Sequence, residues 1–137
     1  MGATYEDKYK LLPRAHVIKL YDKESLFAGK IHAILCRGWK SRVKGRDLFD
    51  YVFFIANDIK VNMNLLKNKL LESDYIKEND KFNIDILKEM LINKFNEINY
   101  DEAKEDVISF VKNSDSLDTW SKEFFISITN KLEEKLN

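Results

Sequence analysis

The feature that most constrains this chain is a missing one: from Arg46 to Asn137 there is neither a glycine nor a proline. Sandwiches and barrels turn about every 8–12 residues, and their tight turns draw on both residue types. A stretch this long without either has to turn on Asn, Asp and Ser, the residues that also cap helices. Spacing of the apolar positions then points to helices throughout. Leu48, Phe49, Val52, Phe53 and Ile55 predict one from about Arg46 to Ala56. Asn62 caps a predicted helix Met63–Glu72, and Asn83 caps another with Ile84, Leu87, Leu91 and Phe95 on one face. Asp101 opens a short helix carrying Ala103, Val107, Phe110 and Val111. Asp118 or Thr119 starts a last one with Trp120, Phe124, Ile128 and Leu132 at steps of four.

Upstream of Arg46 the punctuation changes. Pro13 and Asp22 bound a short run, Ala15 to Tyr21, that reads as a strand and needs a pairing partner. Asp22 is a good N-cap with Glu24 in the first turn, and Leu26, Phe27, Ala28, Ile31, Ile34 and Leu35 follow at helical spacing. Gly38 suits the end of that helix, near Arg37. The expected fold is mainly α: a helical bundle of about six helices with a short N-terminal β element, residues 1–137 forming a single domain. Nine Phe, six Tyr and two Trp supply enough apolar area to exclude a disordered chain.

The lone cysteine, Cys36, leaves no internal disulfide for the fold to depend on. No apolar run approaches the roughly 20 residues of a membrane span, so the reading is a cytoplasmic protein with no membrane partner. The formal net charge is zero but unevenly spread: residues 1–60 hold twelve Lys/Arg against seven Asp/Glu, residues 61–137 eleven against sixteen. A basic half favours anionic ligands, because local potential steers encounter.

The chemistry-bearing stretch is Ser25 to Asp50, SLFAGKIHAILCRGWKSRVKGRDLFD. Lys30 follows Gly29 inside a helix, where glycine costs about 1 kcal/mol relative to alanine. Either the helix packs closely there and Lys30 is merely solvated, or the lysine is aimed at an anion over a small-residue surface. Residues 37–46 then hold Arg37, Lys40, Arg42, Lys44 and Arg46 around Trp39. That is a candidate phosphate or RNA patch with a ring for base stacking, or a solvated loop balanced by the acidic half. Asp47 and Asp50 open the next helix at a spacing that puts both carboxylates on one side. They either cap it or face the same site as Lys30.

Ser-Leu-Phe-Ala-Gly-Lys-Ile-His-Ala, a basic linker, then Lys-Gly-Arg-Asp-Leu-Phe-Asp resembles the third and fourth motifs of the nucleotidyltransferase AbiEii/AbiGii toxin family, most specifically from about Tyr21 to Phe54. The resemblance implies that Lys30 contacts nucleotide phosphates with Arg46 or Arg42 bordering the site, and that Asp47 is the later acidic motif residue. Asp50 is its neighbour, in a catalytic or a structural role. Several family members are toxins neutralised by an antitoxin, and some modify tRNA. For the full-length family enzyme the resemblance implies Mg²⁺ and a nucleoside triphosphate.

The family's first two motifs, a Gly-Ser/Thr turn and closely spaced metal-binding aspartates, do not occur in this sequence. Asp80, Asp85 and Asp101 are scattered, with no glycine turn before them. The expectation is a truncated, C-terminal helical portion whose partner is a missing N-terminal nucleotidyltransferase core. Such a fragment has no cofactor of its own and is inactive alone, since phosphoryl transfer leans on the metal. The alternative is a non-enzymatic helical module binding RNA or a protein through the 37–46 patch. His32 and Cys36, four apart, make at most half a zinc site with only His16 to help. Gly45-Arg46-Asp47-Leu48 lacks the asparagine a kinase catalytic loop needs, since Val52 stands at that position.

Overall fold

A computed structural model describes residues 22–40, 43–109, 111 and 114–135, with backbone alone for 37–40 and 114–115. Six α-helices lie within them: α1 Lys23–Lys40, α2 Gly45–Ala56, α3 Met63–Glu72, α4 Ile84–Phe95, α5 Tyr100–Val107 and α6 Lys122–Thr129. A 3₁₀ helix, Ser114–Thr119, precedes α6. The mainly helical expectation therefore holds. The expected strand at 15–21 lies outside the described residues, among which the only β pairing is a single parallel bridge between Val61 and Glu134.

Caps set most of the boundaries. The Asn62, Asn83 and Asn99 side chains accept from the backbone N–H of Leu65, Ile86 and Glu102, and Ser121 does so from Phe124. Asn99 rather than Asp101 therefore caps the fifth helix, and Ser121 rather than Asp118 or Thr119 caps the sixth. In the sixth case the 3₁₀ turn occupies the residues expected to cap. The first helix runs through Gly38 to Lys40 instead of ending near Arg37.

Helix α1 is the central element, packing on α2, α3 and α4, while α2 also packs on α5 and α6. Phe27, Ala28, Ile31, Ile34 and Leu35 form the buried stripe of α1, and Leu48, Tyr51 and Ile55 that of α2. Tyr51 sits among Phe27, Phe95 and Phe125 with ring centroids 5.8, 5.3 and 6.3 Å away. Its hydroxyl lies 2.7 Å from Thr129 Oγ1. Thr129 spends its own proton on the Phe125 carbonyl, so Tyr51 is the donor of this buried bond. Trp120 and Phe125 are core residues, as expected of that stripe.

The α1–α2 pair is antiparallel. Phe27 stacks on Phe54 at 4.9 Å, and three residues further along α1 the partners on α2 have fallen back to Asp47 and Asp50. Gly45 fixes where α2 begins. A Cβ there would collide with the Ala103 carbonyl oxygen of α5, so only glycine allows the approach. The Gly45 N–H donates to the Asp106 carboxylate at 2.8 Å, which serves the helix start in place of a side-chain cap from Lys44.

Candidate functional site

Lys30 leaves the outward side of α1 and meets the first turn of α2. Its ammonium lies 3.0 Å from Asp47 Oδ1 and 2.9 Å from Asp50 Oδ2. Asp47 is buried, with 6% of its side chain exposed, while Lys30 is a quarter exposed and Asp50 more open. Burial alone would lower the Lys30 pKa, but the hydrogen bonds and charges of Asp50 and Asp47 outweigh it and hold the pKa above its ordinary value. The lysine is therefore a fixed cation at neutral pH. An ammonium has three N–H donors. Two serve the carboxylates, which leaves one for whatever enters from solvent.

What lies beyond is a groove of about 320 Å³ lined by Ser25, Leu26, Gly29, Lys30, Ala33, Asp47 and Lys69. Its floor is the small-residue side of α1, and Lys69 reaches it from α3. A Cβ at Gly29 would meet nothing within 4 Å. The close approach that an internal helical glycine suggests is thus absent at Gly29 and present instead at Gly45. Gly29 opens space beside Lys30.

The structure thus brings together Lys30, Asp47 and Asp50. Arg46 is exposed in the same turn of α2 as Asp47, and Lys44 is exposed just before it. The side chains of Arg37, Trp39, Lys40 and Arg42 lie outside the described residues. Sequence reasoning missed Lys69, because nothing in Met63–Glu72 distinguishes it from Lys67 until α3 is packed on α1.

On the α1–α3 side, His32 Nε2 lies 2.9 Å from Ser73 Oγ, whose own proton goes to the Lys69 carbonyl, so His32 donates. Cys36 Sγ is 3.7 Å from the same oxygen. Burial and the nearby Lys69 charge lower the His32 pKa, leaving a neutral ring. His32 and Cys36 thus share Ser73 as a partner. Among the described residues no three His, Cys, Asp or Glu side chains gather into a metal-holding group. A divalent ion also does not fit at Asp47 and Asp50, where an ammonium already bridges the carboxylates.

No described helix is long and apolar enough to cross a membrane. No curated protein and no solved structure matches the chain. A sequence profile of the family described as nucleotidyl transferase AbiEii toxin, type IV toxin–antitoxin system, matches residues 4–126. The match covers well over half of the 137 residues and includes Lys30, Asp47 and Asp50. It thereby extends far beyond the motif stretch that first suggested the family. The chain belongs to the AbiEii nucleotidyl transferase toxin family.

Proposed function

We propose that this chain supplies the phosphate-contacting part of a type IV toxin–antitoxin nucleotidyltransferase, with Lys30 as the phosphate ligand and Asp47 and Asp50 as the residues that hold it in place. The observation that carries this reading is one ammonium shared by two carboxylates, at 3.0 and 2.9 Å, on the edge of an open groove. A free lysine spreads over many rotamers, and fixing it in advance removes that ordering cost from the binding step. Lys69 lines the same groove as Lys30, a second cation that favours an anion there.

Nucleotidyl transfer breaks the bond between the α- and β-phosphates of a nucleoside triphosphate. The acceptor hydroxyl gains the nucleoside monophosphate, loses its proton, and pyrophosphate leaves. Negative charge grows on the phosphate oxygens during that step, and a pre-positioned cation stabilises it. In this proposal Lys30 takes that role. The metal-binding aspartate motif of such enzymes does not occur in this sequence, so the chain is inactive alone and needs those carboxylates from elsewhere. The type IV family description points to an antitoxin partner, and the acceptor proposed here is tRNA.

Two measurements test this. Incubation with labelled nucleoside triphosphates, Mg²⁺ and tRNA should give no transfer, and transfer abolished by Lys30→Ala would refute the inactivity. Titration with a nucleoside triphosphate should show binding that Lys30→Ala removes. Binding unaffected by that substitution would refute the lysine's role.

A further inference from the structure

Among the described residues three large apolar side chains are at least half exposed: Leu26, Phe53 and Ile108, at 50%, 57% and 55%. Two of them flank Lys30. Leu26 is one helical turn before it on α1, and Phe53 is three residues after Asp50 on α2. The Phe27–Phe54 stack faces these two antiparallel helices toward each other. Stepping back one residue from each member of the stack rotates the two helices in mirrored senses, so Leu26 and Phe53 emerge on the same outward face. Lys30 and Asp50 are on that face too, since their charged atoms meet there. Phe53 is braced by Phe54, edge to face with centroids 5.9 Å apart, and still keeps most of its surface open.

Single exposed apolar residues need no explanation, but an aromatic and an aliphatic side chain on the same face as a fixed ammonium put apolar and cationic surface together. We infer that Phe53, with Leu26 beside it, is the platform on which the base of the bound nucleotide rests while its phosphates reach Lys30. This rests on Lys30 being a phosphate ligand. Leu26 lines the groove with Lys30, and the helical turn between them advances about 5.4 Å, roughly the spacing at which a nucleotide carries its base from its phosphate; Phe53 stands on the α2 side of the same face. The patch matches a base better than a protein: two side chains fall far short of the roughly 800 Å² that each partner contributes to a stable protein interface. Stacking on a ring is also tolerant of base identity, since every base has a π-face.

The test is a calorimetric titration of the 137-residue chain with ATP, GTP, CTP, UTP and, separately, inorganic triphosphate. Phe53→Ala should weaken binding of the nucleoside triphosphates about fivefold or more and leave inorganic triphosphate unchanged. Phe53→Tyr should restore the loss, and Lys30→Ala should weaken every ligand. Equal nucleotide affinities for the wild type and Phe53→Ala would overturn the platform while leaving Lys30 in its role. If Lys30→Ala changes no affinity, or the wild type binds none of these ligands, the phosphate site itself is wrong and the platform falls with it.

Discussion

Lys30 and Asp47 are seventeen residues apart in the chain and 3.0 Å apart at their charged atoms. The carboxylate is the buried member, with 6% of its side chain exposed, and Asp50 is the open one at 38%. Removing the cation from a buried partner is costly, whereas an exposed pair contributes little. Lys30→Met should therefore destabilise the fold by about 1–2 kcal/mol, discounted for the lysine's partial exposure. Asp50→Ala should cost under about 1 kcal/mol. Urea denaturation of the two variants checks the order, and a larger loss from Asp50→Ala would contradict it.

Gly29 and Gly45 should respond to alanine with opposite signs. At Gly29 a Cβ finds open space, so Gly29→Ala gains helix propensity of about 1 kcal/mol. It should raise the melting temperature while narrowing the groove and weakening nucleotide binding. At Gly45 the Cβ would collide with the Ala103 carbonyl, and Gly45→Ala should cost about 2 kcal/mol or more as α2 is pushed from α5. Thermal melts of both variants decide it.

His32 gives the fold an acid sensitivity. In the folded chain burial and the Lys69 charge hold its pKa below the ordinary 6.5. As pH falls through that value, the unfolded chain takes up the proton first. Stability that is complete above about pH 6.5 is therefore lost on the way down to the lower folded pKa. Glu72 works in the opposite sense and reduces the effect. Melting temperature should fall between pH 7 and pH 5 in the wild type and fall less in His32→Gln, which keeps a donor for Ser73. Identical pH profiles would contradict the assignment.

The helices were legible because their caps are local. Asn62 and Asn83 announce α3 and α4 within a few residues of the bonds they make. The start of α5 was misplaced because Asn99 and Asp101 are both cap residues two apart, and the choice between them depends on how Ala103 and Val107 reach the core. The pairing of Lys30 with Asp47 and Asp50 was legible through the family motifs, since two helices packed side by side leave no mark in either one's periodicity. The roles of the glycines were not. A close approach is a property of the neighbour, and the neighbour of Gly45 is Ala103, fifty-eight positions away. Lys69 was hidden for the same reason: its groove exists only once α3 lies on α1.

The proposed binding of nucleotide phosphates at the Lys30 groove can be mapped residue by residue. A ¹⁵N-labelled chain titrated with a non-hydrolysable nucleoside triphosphate should show its largest amide shifts over Ser25–Ala33, at Arg46–Asp50 and around Lys69, and Lys30→Ala should abolish them. Shifts confined to residues 37–44 and unchanged in Lys30→Ala would contradict the claim and move the binding surface to the basic linker.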